Sequence, residues 1–251
     1  MKINILGTGI NSIAMKEVIG EIKSWIINNE YKGRYICVSN VHMIMEGFDD
    51  NKFMQIINNA DIVVPDGRPL VWAQRLMGEK ESKQVRGPDL TMSLCDLASQ
   101  YGYEIGFYGG SGKVLTDLIS KIKNIFPQII ISFTYSPPFR ALKLSEDKKI
   151  IEKINSSKIK ILFVGIGCPK QEIWMQKHSK SIKCIMIGVG AAFDFISGNK
   201  KEPPKWLQNT GLEWFFRFIS EPRRLFLRYL KHNPRFIWYL FKQLLGVKKY
   251  G

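Results

Sequence analysis

Ile159-Lys160-Ile161-Leu162-Phe163-Val164-Gly165-Ile166-Gly167-Cys168-Pro169-Lys170-Gln171-Glu172-Ile173-Trp174 reads as a strand, a glycine turn and a helix opened by proline. The apolar run over 159–165 is what a strand covered on both faces requires. Similar short runs recur at 3–7, 35–39, 61–65, 104–108, 129–134 and 183–189. Between them the amphipathic stretches 11–29, 43–59, 68–77, 89–101, 112–125, 145–156 and 169–179 predict helices. That alternation predicts an α/β fold, a Rossmann-like, mostly parallel sheet flanked by helices. After Gly198 the character changes to Lys-Lys-Glu-Pro-Pro and then to aromatics interleaved with arginines, broken at Pro222 and Pro234. The expected organisation is an α/β domain over 1–197 and a helical, basic and aromatic C-terminal appendage over 198–251.

Most of the predicted strands run into small or polar residues: Gly7-Thr8-Gly9, Ser39-Asn40, Asp66-Gly67, Gly109-Gly110-Ser111-Gly112, Gly165-Ile166-Gly167 and Gly188-Val189-Gly190. In open parallel sheets ligands bind beyond the carboxyl ends of the strands, where glycines admit phosphate to backbone amides. A diphosphate-containing ligand is the expectation, with Gly9, Gly67, Gly110 and Gly167 among the groups that would meet it. The Gly-Thr-Gly opening lacks the third glycine of the dinucleotide fingerprint, since position 12 is Ser, and no acidic residue closes a second strand about twenty residues on. A tight strand-to-helix turn is the competing reading.

Asp66 follows the buried-looking run Ile62-Val63-Val64-Pro65 and precedes Gly67. A carboxylate there is a candidate general base, and equally a turn residue or a cap for the helix near Pro69. Gln171 and Glu172 fall in the first helical turn after Pro169, with capping as the competing account of Glu172. Asp194 either approaches the same edge or caps the segment after it.

The chain of 251 residues is 45% apolar and 12% aromatic, enough to bury a full core. Its formal charge of +15 predicts an anionic partner. From Lys201 onward 11 Lys or Arg face 3 Asp or Glu, so 11 − 3 = +8, about half the excess. Membrane-surface helices, a phosphate-binding lid and a nucleic-acid patch are all consistent with such a block. The longest nearly uninterrupted apolar run, Cys184 to Phe193, is short of the roughly 20 residues that span a bilayer. With no signal-peptide pattern at the amino terminus, a cytoplasmic location is expected. Cys37, Cys95, Cys168 and Cys184 lack CxxC spacing and read as buried thiols. His42, His178 and His232 lie far apart without metal-ligand spacing and read as surface or packing histidines, so no metal is expected from them. Asp-x-Asp, which often holds a metal-bridged diphosphate, does not occur.

Several segments together resemble the WecG/TagA/CpsF glycosyltransferases: Ser39-Asn40, Val64-Pro65-Asp66-Gly67, Val85-Arg86-Gly87-Pro88-Asp89-Leu90, Gly167 to Trp174, Gly188 to Gly198, and Gly211-Leu212-Glu213-Trp214 through Arg217 to Glu221-Pro222-Arg223-Arg224 and Arg228-Tyr229. The resemblance runs nearly end to end. It implies an inverting, metal-independent hexosyltransferase that takes a UDP-sugar and extends a polyprenyl-diphosphate-linked saccharide in cell-surface polysaccharide or teichoic acid synthesis, peripherally bound to the inner face of the plasma membrane. It also allows self-association through the catalytic domain. Carried onto this sequence, Asp66 matches the catalytic base, and Asn40 and Gln171 match polar groups of the pocket. Arg217, Arg224 and Arg228 match appendage arginines that meet the diphosphate and the membrane. Arg86 and Asp89 belong to the Val-x-Gly-x-Asp segment.

Teichoic-acid-type members carry an arginine immediately before that valine, where this chain has Gln84, and a threonine where it has Val38. In an extended segment positions 84 and 86 face the same side, so either Arg86 replaces the missing charge or the donor sugar differs from the N-acetylmannosamine of those members. Two other functions stand beside this one: a Rossmann-type nucleotide- or NAD-binding oxidoreductase, and a basic nucleic-acid-binding protein.

Overall fold

The computed structural model describes residues 1–204, 207, 210–248 and 250. The elements, in chain order, are β1 (Lys2–Ile5), β2 (Thr8–Asn11), α1 (Met15–Ile27), β3 (Tyr35–Ser39), α2 (Val41–Asp49), α3 (Asn51–Asn58), β4 (Ile62–Pro65), α4 (Arg68–Leu76) and α5 (Gly87–Tyr101). Then come β5 (Glu104–Gly109), α6 (Gly112–Ile125), β6 (Ile130–Tyr135), α7 (Leu144–Ser156), β7 (Ile161–Gly165), α8 (Lys170–His178), β8 (Ile185–Gly188), α9 (Ala192–Ile196), α10 (Glu213–Ser220) and α11 (Pro222–Leu244). A six-stranded sheet has the order β4-β3-β8-β7-β5-β6. The pairings β3–β8, β8–β7, β7–β5 and β5–β6 are parallel. Strands β3, β4 and β8 are buried along their whole length, as a sheet with helices on both faces demands. The expected α/β architecture is therefore the observed one.

The chain forms two compact units, each discontinuous in sequence. One comprises Met1–Ala14, Val38–Arg86 and Lys201–Gly251; the other comprises Met15–Cys37 and Gly87–Lys200. Residues 201–251, expected as an appendage, thus share a compact unit with the amino terminus and with 38–86.

In the first unit β1 and β2 pair antiparallel as a hairpin separate from the large sheet. This corrects the expected strand over 3–7 leading through Gly-Thr-Gly into a helix. Leu6 and Gly7 both have positive φ, 52° and 90°, the backbone of a two-residue hairpin turn. The Gly7 amide is held by Asn4 Oδ1 at 2.8 Å. Asn58 then fastens the hairpin to α3, its Oδ1 accepting from the Gly9 amide and its Nδ2 donating to the Gly7 carbonyl.

The helix expected over 43–59 is two helices. Asp50 adopts an extended conformation (φ −131°, ψ 105°), ends α2, and caps α3 by accepting from the amides of Lys52 and Phe53. The C-terminal break expected at Pro234 is absent, and α11 runs through it to Leu244. Tertiary anchoring overrides the local penalty of the proline. Leu225, His232 and Phe236 are buried, Arg235 forms a two-point pair with Asp49 of α2, and Gln243 bonds the Leu6 amide and the Asn4 carbonyl of the hairpin at 2.9 and 2.8 Å.

In the second unit β5 and β7 end at Gly109 and Gly165, paired in register. Gly109 has φ 131°, and a Cβ there would lie 2.4 Å from the Gly165 carbonyl oxygen. Backbone against backbone has nowhere to yield. Gly109→Ala is expected to cost about 2–4 kcal/mol of stability through strain and overpacking. Urea unfolding of the variant checks this, and a midpoint equal to that of the parent would contradict the assigned close approach.

Candidate active site

Asp66 occupies the position the sequence indicates, directly after β4, with a half-buried side chain. Its backbone is fixed on two sides: the amide donates to the Ser39 carbonyl at 2.7 Å, and the carbonyl accepts from Gln84 Nε2 at 3.2 Å. The N-cap position of α4 belongs to Gly67, not to Asp66, and Pro69 stands in the first turn.

Because Asp66 binds Ser39 through the backbone, it stands beside Asn40 at the end of β3. Asn40 begins α2, its Oδ1 accepting from the Met43 amide at 3.2 Å, which leaves the Nδ2 end to meet a ligand. The Val85 amide bonds the Pro65 carbonyl at 2.8 Å, so segment 84–86 runs alongside the end of β4. Gln84, the residue that departs from the teichoic-acid-type pattern, itself supports the Asp66 peptide. Arg86 is buried, with its guanidinium 3.4 Å from Glu213 and 4.0 Å from Glu202. Its charge is therefore balanced by carboxylates of the C-terminal segment.

The three arginines singled out in sequence converge. Burial raises the pKa of the Tyr229 hydroxyl, while the charges of Arg217, Arg228 and Arg224 act to lower it. Arg217 comes from α10 and the others from α11, so Tyr229 marks where the two helices bring their cations together. Arg224 is also held by Glu221 through both carboxylate oxygens. Arg228 reaches further, adding its field to His42 on α2. Gln84 and Tyr229 fall within segments that carry the family resemblance, whereas His42 carries no such signal in the sequence. Only the fold shows that they stand among the other residues.

In the second unit, taken by itself, the turn after β7 carries Gly167, Gln171 and Glu172. Gly167 has φ 86° with open space where a Cβ would be. Pro169 is the cap position, one residue earlier than expected, and α8 starts at Lys170. Gln171 is 2% exposed; its Oε1 accepts from the Gly167 amide at 3.2 Å and its Nε2 donates to Glu172 Oε1 at 2.7 Å. Gly188 gives this amide room, since a Cβ there would come within 3.0 Å of Gln171 Nε2 and 2.8 Å of Met175 Cε. Glu172 is fully buried with its second oxygen lacking a hydrogen-bond partner. Burial pushes its pKa up to about 7, against the opposing bonds from Gln171, its own backbone and Cys168.

Other candidates have local duties. The Gly9 amide is taken by Asn58, and the Gly110 amide by the Gly165 carbonyl at 3.2 Å, so neither is poised for phosphate as expected. Asp89 is exposed in the first turn of α5, where its charge suits the helix dipole. Asp194 is held by Asn199 and Lys200. Cys37, Cys95 and Cys184 are buried as expected, and Cys168 is half-buried. His178 packs against Trp174 and lies 3.2 Å from Asp147. His42 and His232, distant in sequence, meet edge to face with ring centroids 5.1 Å apart.

Asp66 thus closes a buried strand of an α/β sheet next to the end of β3, and α10 and α11 gather their arginines around Tyr229. The hairpin at Gly7 removes the strand-turn-helix that a dinucleotide-binding reading needs. The model of the family described as "Glycosyl transferase WecG/TagA/CpsF family" matches residues 3–250, and the chain belongs to that family of glycosyltransferases. It is 29% identical over 197 residues to a protein of Bacillus spizizenii, covering 78% of this chain and 75% of that one. Proteins of two Staphylococcus aureus strains are 24% identical over 249 residues, covering 99% of this chain and 95% of theirs. All three relatives bear the name N-acetylglucosaminyldiphosphoundecaprenol N-acetyl-beta-D-mannosaminyltransferase.

The raised pKa of Glu172 has a consequence for stability. The folded chain holds that proton more tightly than the unfolded chain, so between the ordinary value of 4.5 and about 7 stability should fall as pH rises. Glu172→Gln should remove this fall. The difference in thermal midpoint between parent and variant, followed from pH 4 to 8, tests it; parallel profiles would show that Glu172 ionises normally.

Proposed function

We propose that the protein transfers a hexose or N-acetylhexosamine, such as N-acetylmannosamine, from a UDP-sugar to a polyprenyl-diphosphate-linked saccharide with inversion at the anomeric carbon. The observation that supports this is the placement of Asp66: backbone-fixed at the end of β4, half-buried, and next to the end of β3 where Asn40 stands. The names of the relatives supply the acceptor and sugar class.

In this reading the Asp66 carboxylate takes the proton of an acceptor hydroxyl as that oxygen attacks the anomeric carbon, and UDP leaves from the opposite face. Charge developing on the diphosphate is met by Arg217, Arg224 and Arg228, whose planar guanidinium groups suit two-point contact with phosphate oxygens. The sequence contains no Asp-x-Asp to hold a metal-bridged diphosphate, so protein cations take that part in the transfer step. Gln171 contributes to donor recognition, its amide oriented by the buried Glu172. With Asp66→Asn, turnover is expected to fall by about 10²–10⁴-fold. Transfer from UDP-N-acetylmannosamine to a lipid-diphosphate-linked N-acetylglucosamine, with folding checked by circular dichroism, is the assay; near-normal turnover would refute the base assignment.

In the same reading α10 and α11 lie at the inner face of the plasma membrane. Trp214, Phe215, Phe226, Leu227, Trp238 and Phe241 are exposed, each between 43% and 71%, among lysines and arginines. Aromatic and cationic side chains in alternation suit the lipid headgroup zone. Among the described residues no helix is long and apolar enough to cross a membrane. Replacing Trp238 and Phe241 together by Ser is expected to weaken cosedimentation with phosphatidylglycerol vesicles by about tenfold or more while the fold persists. Unaltered cosedimentation would move the contact elsewhere.

A further inference from the structure

We propose that His42, Glu46 and His232 form a binding site for a divalent transition-metal ion, with Zn²⁺ the best match, that ties α11 to α2. His42 and Glu46 stand one helical turn apart on the same face of α2, and His232 faces them from α11. One ligand atom of each lies within 4.8 Å of the others. Glu46 Oε1 is 3.7 Å from His42 Nδ1 and 3.4 Å from His232 Nε2. Ligands of a tetrahedral ion bound at about 2.0–2.2 Å stand roughly 3.3–3.6 Å apart, so two edges of the coordination triangle are nearly formed. Two imidazoles and one carboxylate, with water in the fourth position, make a ligand set that suits zinc.

The local chemistry favours coordination over a simple ion pair. His42 Nδ1, the atom that faces Glu46, is buried without a hydrogen-bond partner, an unfavourable state that a bound ion would relieve. A His–Glu salt bridge would need charged imidazoles. Burial, with Arg228, His232 and Lys231 adding to it, holds His42 near 3, and burial lowers His232 as well, so both are neutral as metal ligation requires. The nearby cations are partly accounted for: Lys231 and Arg235 both engage Asp49, which leaves the Glu46 carboxylate facing the histidines. Arg228 opposes a bound cation, and three coordination bonds together with the Glu46 charge must offset it. The ion takes no part in sugar transfer. It fixes the helix that carries Arg224 and Arg228, and this proposal holds whatever the donor sugar.

The test uses the full-length protein without a polyhistidine tag, stripped with a chelator and titrated with Zn²⁺ by calorimetry and with Co²⁺ by visible absorption. One saturable site per chain, a tetrahedral Co²⁺ spectrum without a thiolate charge-transfer band, and a raised thermal midpoint are expected. Glu46→Gln and His232→Gln should each weaken binding by tenfold or more, whereas His178→Gln should not. Absence of saturable binding, a thiolate band pointing to cysteine, or affinity unchanged in both Glu46→Gln and His232→Gln would overturn the proposal. Circular dichroism of the variants separates loss of the site from loss of the fold.

Discussion

The backbone bond from the Asp66 amide to the Ser39 carbonyl fixes the ends of β4 and β3 side by side. A side chain held by a loop would be free to swing, but Asp66 is also gripped through its carbonyl by Gln84, and its flanking residues Pro65 and Gly67 are committed to a strand and to a helix cap. The carboxylate is thus presented from a backbone that cannot drift. A catalytic base benefits from this, since positioning it costs little when substrate arrives.

Around this point the chain manages its own charge. The +15 read from the sequence overstates the positive field at the C-terminal helices. Arg86 faces Glu213 and Glu202, Arg224 is paired with Glu221, and Arg235 and Lys231 share Asp49. These pairs hold cations in place before any ligand is present. In the proposed transfer, an exposed cation such as Arg224 would exchange a protein carboxylate for a phosphate at small cost, because exposed ion pairs contribute little to stability. Arg86 differs. It is buried, and breaking its pairing would leave a desolvated charge, so it serves better as an anchor for the C-terminal segment than as a ligand.

Local signals suffice to read the large sheet. Continuous apolar runs such as Ile161–Gly165 with polar flanks can be little else, and Asp66 stands out because it closes one of them. The features hidden from a linear reading are non-local. Leu6 at positive φ turns the first strand into a hairpin, and no propensity points to leucine there. Pro234 marks a break by every local rule, yet burial of Phe236 and the Arg235–Asp49 pair carry the helix through. His42 and His232 look unrelated because nothing linear connects α2 to α11. The turn at Gly167 to Glu172 reads as polar and functional, but the sealing of Glu172 from water depends on how α8 packs.

Gln243 bonds backbone groups of residues 4 and 6, so the hairpin and α11 are stitched together across separations of 237 and 239 residues. During translation this stitch can form only after Gln243 has left the ribosome. Until then the hairpin and α2 wait without the helix that packs on them, and a nascent chain would display apolar surface that a chaperone could hold. Long-range closure of this kind slows folding, and in the proposed mechanism it ties the delivery of Arg224 and Arg228 to the completion of that stitch.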